Sequence, residues 1–360
     1  MSALIPLPSV KPILAHPPQI LHFFDEFLAT DVGEGAAASD TLRTYRCHLK
    51  QFLNWCQTHQ VHPIEATFAQ LKQYRHWLIE TQQYQQTTIS LKLSVLRRFY
   101  DALLENDYIN SNPALRLRPP REVKDPAARI NYLQNDEMYQ LLDALPEDNS
   151  VQGLRDRLLI SIMVLEGCRT VEMHRVNVGD IVKDGPNVGL RVWAKRSIRV
   201  VPLTPELGQL LRRYLAARKK AGENLTPDTP VLISVAYGSK GERLSRRSVR
   251  RIVDKYLGAI GLKDVPRPKT QAQKRLKGDS SSPPPTPRAK KSRHQSQPRK
   301  LSAHSLRHTA GTLALRTGAS LRQVQDLLGH ADPRTTVLYA HIGDRWVNNP
   351  ALQLEKRGFG

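Results

Sequence analysis

His304, Arg307, His308, His330 and Tyr339 fall within 36 positions near the carboxyl end of the chain, and Arg169 stands far upstream. Those residue types suit attack on a phosphodiester, a reluctant electrophile because its own negative charge repels nucleophiles. Two guanidiniums, Arg169 and Arg307, can grip its non-bridging oxygens in bidentate fashion and stabilise the charge of the transition state. Tyr339 can serve as nucleophile once its phenolic proton, held with an ordinary pKa of about 10, is removed. His304 is the expected base, and His330 is expected to hydrogen-bond the phosphate and help orient Tyr339. Taken singly, each histidine reads more simply as a satisfied structural residue and a lone tyrosine as part of a core. The order and spacing of the whole set point to chemistry.

Identifiable elements must carry these residues. Ser302 can cap a helix that places His304, Arg307 and His308 at i, i+3 and i+4 on one face. Ser320 can cap the next helix, with Leu321, Val324, Leu327 and Leu328 as its buried stripe and Gly329 at its C-terminal turn. His330 then projects from a helix end. Asp332 and Pro333 suit the N-cap and first position of a short helix bearing Tyr339. Upstream, a helix at about 153–166, apolar nearly all round and so central, leads into Leu165-Glu166-Gly167-Cys168-Arg169-Thr170-Val171-Glu172-Met173. Gly189 to Trp193 and Arg199 to Leu203 read as two strands of a hairpin.

His304-x-x-Arg307, Leu328-Gly329-His330 and Tyr339-Ala340-His341 resemble the second conserved box of the tyrosine recombinase (phage integrase) family, which includes the Xer- and Cre-like site-specific recombinases. Gly167-Cys168-Arg169-Thr170-Val171-Glu172, with Asp180-Ile181 shortly after, resembles its first box. The resemblance places the first catalytic arginine at Arg169 and a supporting acid, expected to position its neighbours, at Glu172. It assigns the hairpin lysine, general acid toward the departing 5′ oxygen, to Lys195, with Arg196 as rival because Ala194 and Arg196 stand where the family often has glycine. It implies a covalent 3′-phosphotyrosine intermediate formed without metal or ATP. It also implies a mainly α fold with a small β-hairpin or sheet: a helical, SAM-like core-binding bundle followed by a mixed α+β catalytic domain. The implied partner is double-stranded DNA, with a homotetramer in the synaptic complex and room for accessory DNA-bending proteins.

The totals agree with a polyanionic partner. Of 360 residues, 54 are Lys or Arg and 33 Asp or Glu, a formal net charge of +21, which suits nucleic acid first and an anionic membrane surface second. The longest apolar run, Leu158 to Leu165, falls far short of the roughly 18–20 residues of a spanning helix. Prolines at 6, 8, 12, 17 and 18 break up the N-terminus, so it does not read as a secretory signal. Cys47, Cys56 and Cys168 form neither a disulfide framework nor a zinc-finger spacing. Cys47 and Cys56 are expected as core thiols in a reducing, cytoplasmic setting near the nucleoid.

Residues 1–18 read as a flexible Pro-rich arm. Residues 19–115 read as helical, with apolar stripes at 39–56 (Ser39 or Asp40 as N-cap), 64–80 and 87–105. Arg43, Arg46, Lys50, Lys72, Arg75, Lys92, Arg97 and Arg98 between the stripes suggest a basic face, or simply a solvated surface. Residues 116–129 read as a basic linker and 130–360 as the catalytic domain, with Asn135 or Asp136 capping its first helix and further helices near 205–220 and 245–258. Residues 266–300 hold eleven Lys or Arg against one Asp, and seven prolines. Such a segment cannot bury enough surface to offset its ordering entropy and reads as a disordered basic insert, serving as a DNA-wrapping element, a spacer or a targeting signal. Trp346, Val347, Leu352 and Leu354 in the tail suit docking on a neighbouring protomer or packing at home. Three other readings stay open: a type IB topoisomerase, a non-catalytic DNA-binding protein of the same fold, and a metal site from His304, His308, His330 and His341.

Overall fold

The computed structural model describes residues 16–31, 39–120, 130–193, 198–263 and 299–340. The chain divides into two compact units, Met1–Val123 and Lys124–Gly360.

The first unit is helical: α1 (Pro17–Asp31), α2 (Ser39–Thr58), α3 (Phe68–Glu80) and α4 (Gln86–Glu105). Its core is aromatic. Phe24, Phe52, Tyr74, Phe99 and Tyr100 are buried, with Phe52 meeting Tyr74 at 5.0 Å and Phe99 meeting Tyr100 at 5.1 Å between centroids, the tilted approaches that ring quadrupoles favour. α3 starts later than its apolar stripe suggests. Thr67 and Gln70 form a capping box, which fixes the helix start and leaves Ile64 in the preceding loop.

Three expectations change here. Cys56 is buried but Cys47 is exposed. The buried stripe of α2 runs through Leu49, Phe52, Leu53 and Cys56, and a residue two positions before Leu49 points about 200° away from it. Lys92 does not join a basic face. It is buried, its ammonium donates to His48 and Gln51, and it lies 4.7 Å from the Tyr84 ring centroid. Leu117 lies in the core of this unit, while the carbonyls of Arg118 and Pro120 accept from Arg75 and Gln86. The start of the segment read as linker is thus packed structure.

The second unit is built on α6 (Val151–Leu165), which follows α5 (Asn135–Asp143). α5 is capped by Gln134 paired with Glu137, rather than by Asn135 or Asp136, both of which lie inside the helix. α6 buries Leu158, Leu159, Ile160, Ile162 and Met163 and is flanked by α8 (Pro205–Lys220) and α10 (Ala303–Arg316). Its buried Arg155 and Asp156 satisfy each other at 2.6 Å, with Tyr256 donating to Asp156 at 3.0 Å. α7 (Thr170–Arg175) precedes the sheet, and α9 (Arg246–Ala259) follows α8.

The sheet has three antiparallel strands in the order β1 (Ile181–Asp184), β2 (Asn187–Trp193), β3 (Ile198–Leu203), one more than the hairpin expected. The extra strand is four residues long, too short to show alternation, and pairs Asp184 with Asn187 across a turn containing Gly185 at φ +55°. In the expected hairpin Trp193 pairs with Ile198.

The unit ends with α10, α11 (Leu321–Leu328) and α12 (Pro333–Ala340). Ser302 and Ser320 cap α10 and α11 through their side chains, and Asp332 Oδ1 accepts from the Arg334 amide at 2.9 Å at the start of α12. No described helix is long and apolar enough to cross a membrane. Lys195, Arg196, residues 1–15, the tail from His341 onward and the basic insert up to residue 298 lie outside the described residues.

Candidate active site

The site is assembled where α7, β3, α10, the α11–α12 turn and α12 meet. Arg169 is the N-cap of α7, and its amide and side chain both bond Glu172, at 2.7 Å each. Glu172 is 0% exposed. A buried carboxylate is costly unless paired, and Glu172 is paired twice, since Arg199 on β3 reaches its second oxygen at 3.2 Å. Burial opposes its charge, but Arg199 and Arg169 outweigh that and hold its pKa below the ordinary glutamate value. Arg199 also donates to the Leu327 carbonyl at 2.8 Å, so it ties β3 to the end of α11.

Arg307 is 1% exposed. Its guanidinium donates to the carbonyl of Gly167 at 2.6 Å and to that of Leu328, which joins the loop before α7 to the end of α11. Burial, then Arg169, lowers its pKa to about 10, so it stays cationic at neutral pH. Arg169 remains about a third exposed, available to an anion from solvent.

His330 follows a Schellman turn. Gly329 adopts the left-handed conformation, its amide bonds the Asp326 carbonyl, and the His330 amide bonds that of Gln325 at 3.1 Å. The His330 ring is engaged through Nδ1 with Thr336 Oγ1 at 2.9 Å and stacks on the Tyr339 ring at 6.1 Å and 14°. Tyr339 is 2% exposed and sits among Ile130, Ala310, Val324 and Leu328. Its hydroxyl bonds His308 Nδ1 at 2.8 Å. Burial raises the phenol pKa, and Arg307 and Arg169 pull it back. The nucleophile of the expected reaction is therefore a protonated phenol that needs a base.

The structure brings Arg169, Glu172, His304, Arg307, His330 and Tyr339 into one cluster. His304, however, is exposed at the surface and meets the edge of the His308 ring at 4.4 Å. The part of its ring that packs against α10 is desolvated, and this, with the Arg307 and Arg169 charges, lowers its pKa. Sequence reasoning gave no site role to Arg199 or Thr336 and left His308 without one in this chemistry. Arg199 carried a usable signal: in a strand of alternating burial it falls on the side of Val201 and Leu203, where an arginine needs a buried partner. The metal reading includes His341, outside the described residues. Among the described residues no group of three or more His, Cys, Asp or Glu side chains is placed to hold a metal ion.

The sequence matches the phage integrase family over residues 131–271 and 286–345, and the N-terminal SAM-like domain of phage integrases over residues 23–110. The chain belongs to the phage integrase family. The break in the integrase match falls inside the basic insert. A relative called tyrosine recombinase XerC, from Thermodesulfovibrio yellowstonii, is 31% identical over 314 residues, covering 85% of this chain and 86% of its own. A second XerC, from Pelotomaculum thermopropionicum, is 29% identical and covers 89% of this chain and 94% of its own. Among solved structures, the XerH recombinase bound to a palindromic difH substrate, in a post-cleavage complex, shares the fold. Its TM-score is 0.65 at 18% identity, over 91% of this chain and 84% of that one. A lambda integrase dimer on a COC′ core site has a TM-score of 0.59 at 17% identity, over 91% of this integrase-family chain and 77% of that one.

Proposed function

We propose that this chain is a tyrosine-type site-specific DNA recombinase that cleaves and rejoins DNA through a covalent 3′-phosphotyrosine bond to Tyr339. The observation that carries the reading is the Tyr339 hydroxyl, bonded to His308 and stacked on His330 in the combined field of Arg307 and Arg169. Arg169 and Arg307 bind the scissile phosphate and stabilise its developing charge; loss of one such donor typically costs about 10²–10³ in rate. Glu172 positions both Arg169 and Arg199. His330 orients Tyr339 and adds a hydrogen bond to the phosphate. Lys195 supplies the proton to the departing 5′ oxygen. Because the ester keeps the bond energy, rejoining draws on neither ATP nor metal.

The proposal extends to the partners: duplex recombination sites, a homo-oligomer that is a tetramer at synapsis, accessory DNA-bending proteins, and a cytoplasmic setting at the nucleoid. Residues 19–115 serve as the core-binding domain and 130–360 as the catalytic domain, with the insert at 266–300 adding basic contacts to the DNA backbone.

The test traps the protein on genomic DNA and sequences what is covalently attached, then repeats the trapping with Tyr339→Phe. Wild type is expected to yield adducts at a defined sequence, and the variant to bind the same site without an adduct. Adducts from Tyr339→Phe would remove Tyr339 as nucleophile. Relaxation of plasmid with no site preference would favour a type IB topoisomerase.

A further inference from the structure

We infer that Arg199 is a positioning residue for the reaction: it fixes the end of α11 and the Glu172 carboxylate, and through them sets His330 and Arg169 against the scissile phosphate. This rests on the recombinase reading above and adds one residue to that site. The carbonyl end of α11 carries it. A helix leaves its last four carbonyls without intrahelical partners, and all four are met here. The amides of Gly329 and His330 bond the carbonyls of Asp326 and Gln325 at 3.1 Å each. Arg199 donates to that of Leu327 at 2.8 Å, and Arg307 to that of Leu328. Arg169 reaches the next carbonyl, that of Gly329, at 3.5 Å. Three guanidiniums thus stand on three consecutive carbonyls.

Like charges would spread if nothing held them. The partial negative charge of a helix C-terminus, about half an elementary charge, and the buried Glu172 carboxylate hold these three. Arg199 bonds both holders, since it also reaches Glu172 Oε2 at 3.2 Å, and it touches Cys168, next to Arg169, at Sγ at 3.9 Å. Its side chain is 14% exposed against 31% for Arg169, so the phosphate meets Arg169 while Arg199 acts through it. Without Arg199 the Leu327 carbonyl loses its partner, and the turn that carries His330 loosens. Both Glu172 oxygens then become available to the Arg169 guanidinium, and a bidentate pair draws it inward, away from solvent.

The experiment uses the full-length protein and a nicked duplex carrying the site recovered by trapping. Adduct formation at saturating protein, and affinity by gel shift, are measured for wild type, Arg199→Met, Arg199→Lys and Arg218→Met, each at a temperature where thermal unfolding shows it folded. Arg218 is the control, a buried arginine that bonds Glu223 and the carbonyls of Pro230 and Val231, none of them in the site. Arg199→Met should slow adduct formation about 100-fold, the scale of loss from a misplaced reacting group, with affinity near that of wild type. Arg199→Lys keeps the charge without the fork and should recover part of the rate; where Arg199→Met does not fold, it decides by the same split. Arg218→Met should keep the wild-type rate. A rate for the Arg199 variants like that of Arg218→Met, or affinity and rate lost in equal measure, overturns the inference.

A second measurement needs no DNA. His330 Nδ1 is bonded to Thr336 Oγ1, so imidazole ¹⁵N spectra report where the turn after α11 holds that ring. The His330 signals should move in Arg199→Lys and stay in place in Arg218→Met. Unmoved His330 signals in Arg199→Lys overturn the inference. If wild type forms no adduct on any DNA, the recombinase reading itself fails, while these spectra still decide whether Arg199 sets His330.

Discussion

Glu172 shows how a single residue holds the site together. Its carboxylate is fully buried, yet it carries charge because Arg169 meets one of its oxygens and Arg199 the other. The apolar contacts of α7 alone would not choose a glutamate there; two guanidiniums that need a shared anion do. Removing one member of a buried network leaves the others unpaired, at a typical cost of about 3–5 kcal/mol. Glu172→Gln keeps the shape and removes the charge, so urea unfolding should show a loss in that range, and adduct formation should fall with it because Arg169 is no longer held. Unfolding indistinguishable from wild type would mean that the guanidiniums find other partners. Arg199 Nε is buried with no hydrogen-bond partner among the described residues, a cost the other bonds of this side chain must offset.

Among elements, the short connection between α11 and α12 does most to set the site. Gly329 stands at φ +59°, and a Cβ placed there would come within 2.5 Å of Arg199 Cδ. Alanine at this position meets both a backbone penalty and the guanidinium stem, so Gly329→Ala should lower stability by about 1–2 kcal/mol. It should also cost activity, since the same move displaces His330 and the Arg199 anchor. Gly311 on α10 shows a related limit. A Cβ there would lie 3.2 Å from the Tyr339 ring and 2.8 Å from Leu328 Cδ1. The absent side chain is what lets the Tyr339 ring lie against α10. Gly311→Ala should therefore reduce adduct formation more than it reduces DNA affinity, measured by trapping and by gel shift; equal losses would show that α12 simply detaches.

At the scale of the whole molecule, charge and pH decide what is observable. With a net charge of +21, affinity for duplex DNA should fall steeply and linearly with the logarithm of salt concentration, by counterion release; a flat salt response would argue against backbone neutralisation. Burial lowers the pKa of both His308 and His330 to about 4, while in the unfolded chain each titrates near 6.5. Below about pH 6.5 the unfolded chain therefore binds more protons than the folded one. Stability is full above that point and declines as pH falls toward 4, by up to about 1.4 kcal/mol per histidine for each pH unit. Thermal unfolding between pH 7 and 5 should show this decline, and replacing both histidines with glutamine should flatten it.

Much of this was legible in the sequence. The serines before α10 and α11, the glycine after α11 and the Asp-Pro before α12 mark helix ends by local hydrogen bonding, and local chemistry survives in any fold. The spacing of His304, Arg307, His330 and Tyr339, and the resemblance that picked out Arg169 in the Gly167–Glu172 string, likewise named members of the cluster. Tertiary packing alone decided which histidine meets the phenol. His304 and His308 share one face of one helix, and the choice depends on where α12 lays its ring, a contact between residues 31 positions apart. It also decided that Lys92 turns inward and that Arg199 completes the Glu172 network. In each case a charged side chain reads as solvated until a partner from a distant element comes within reach.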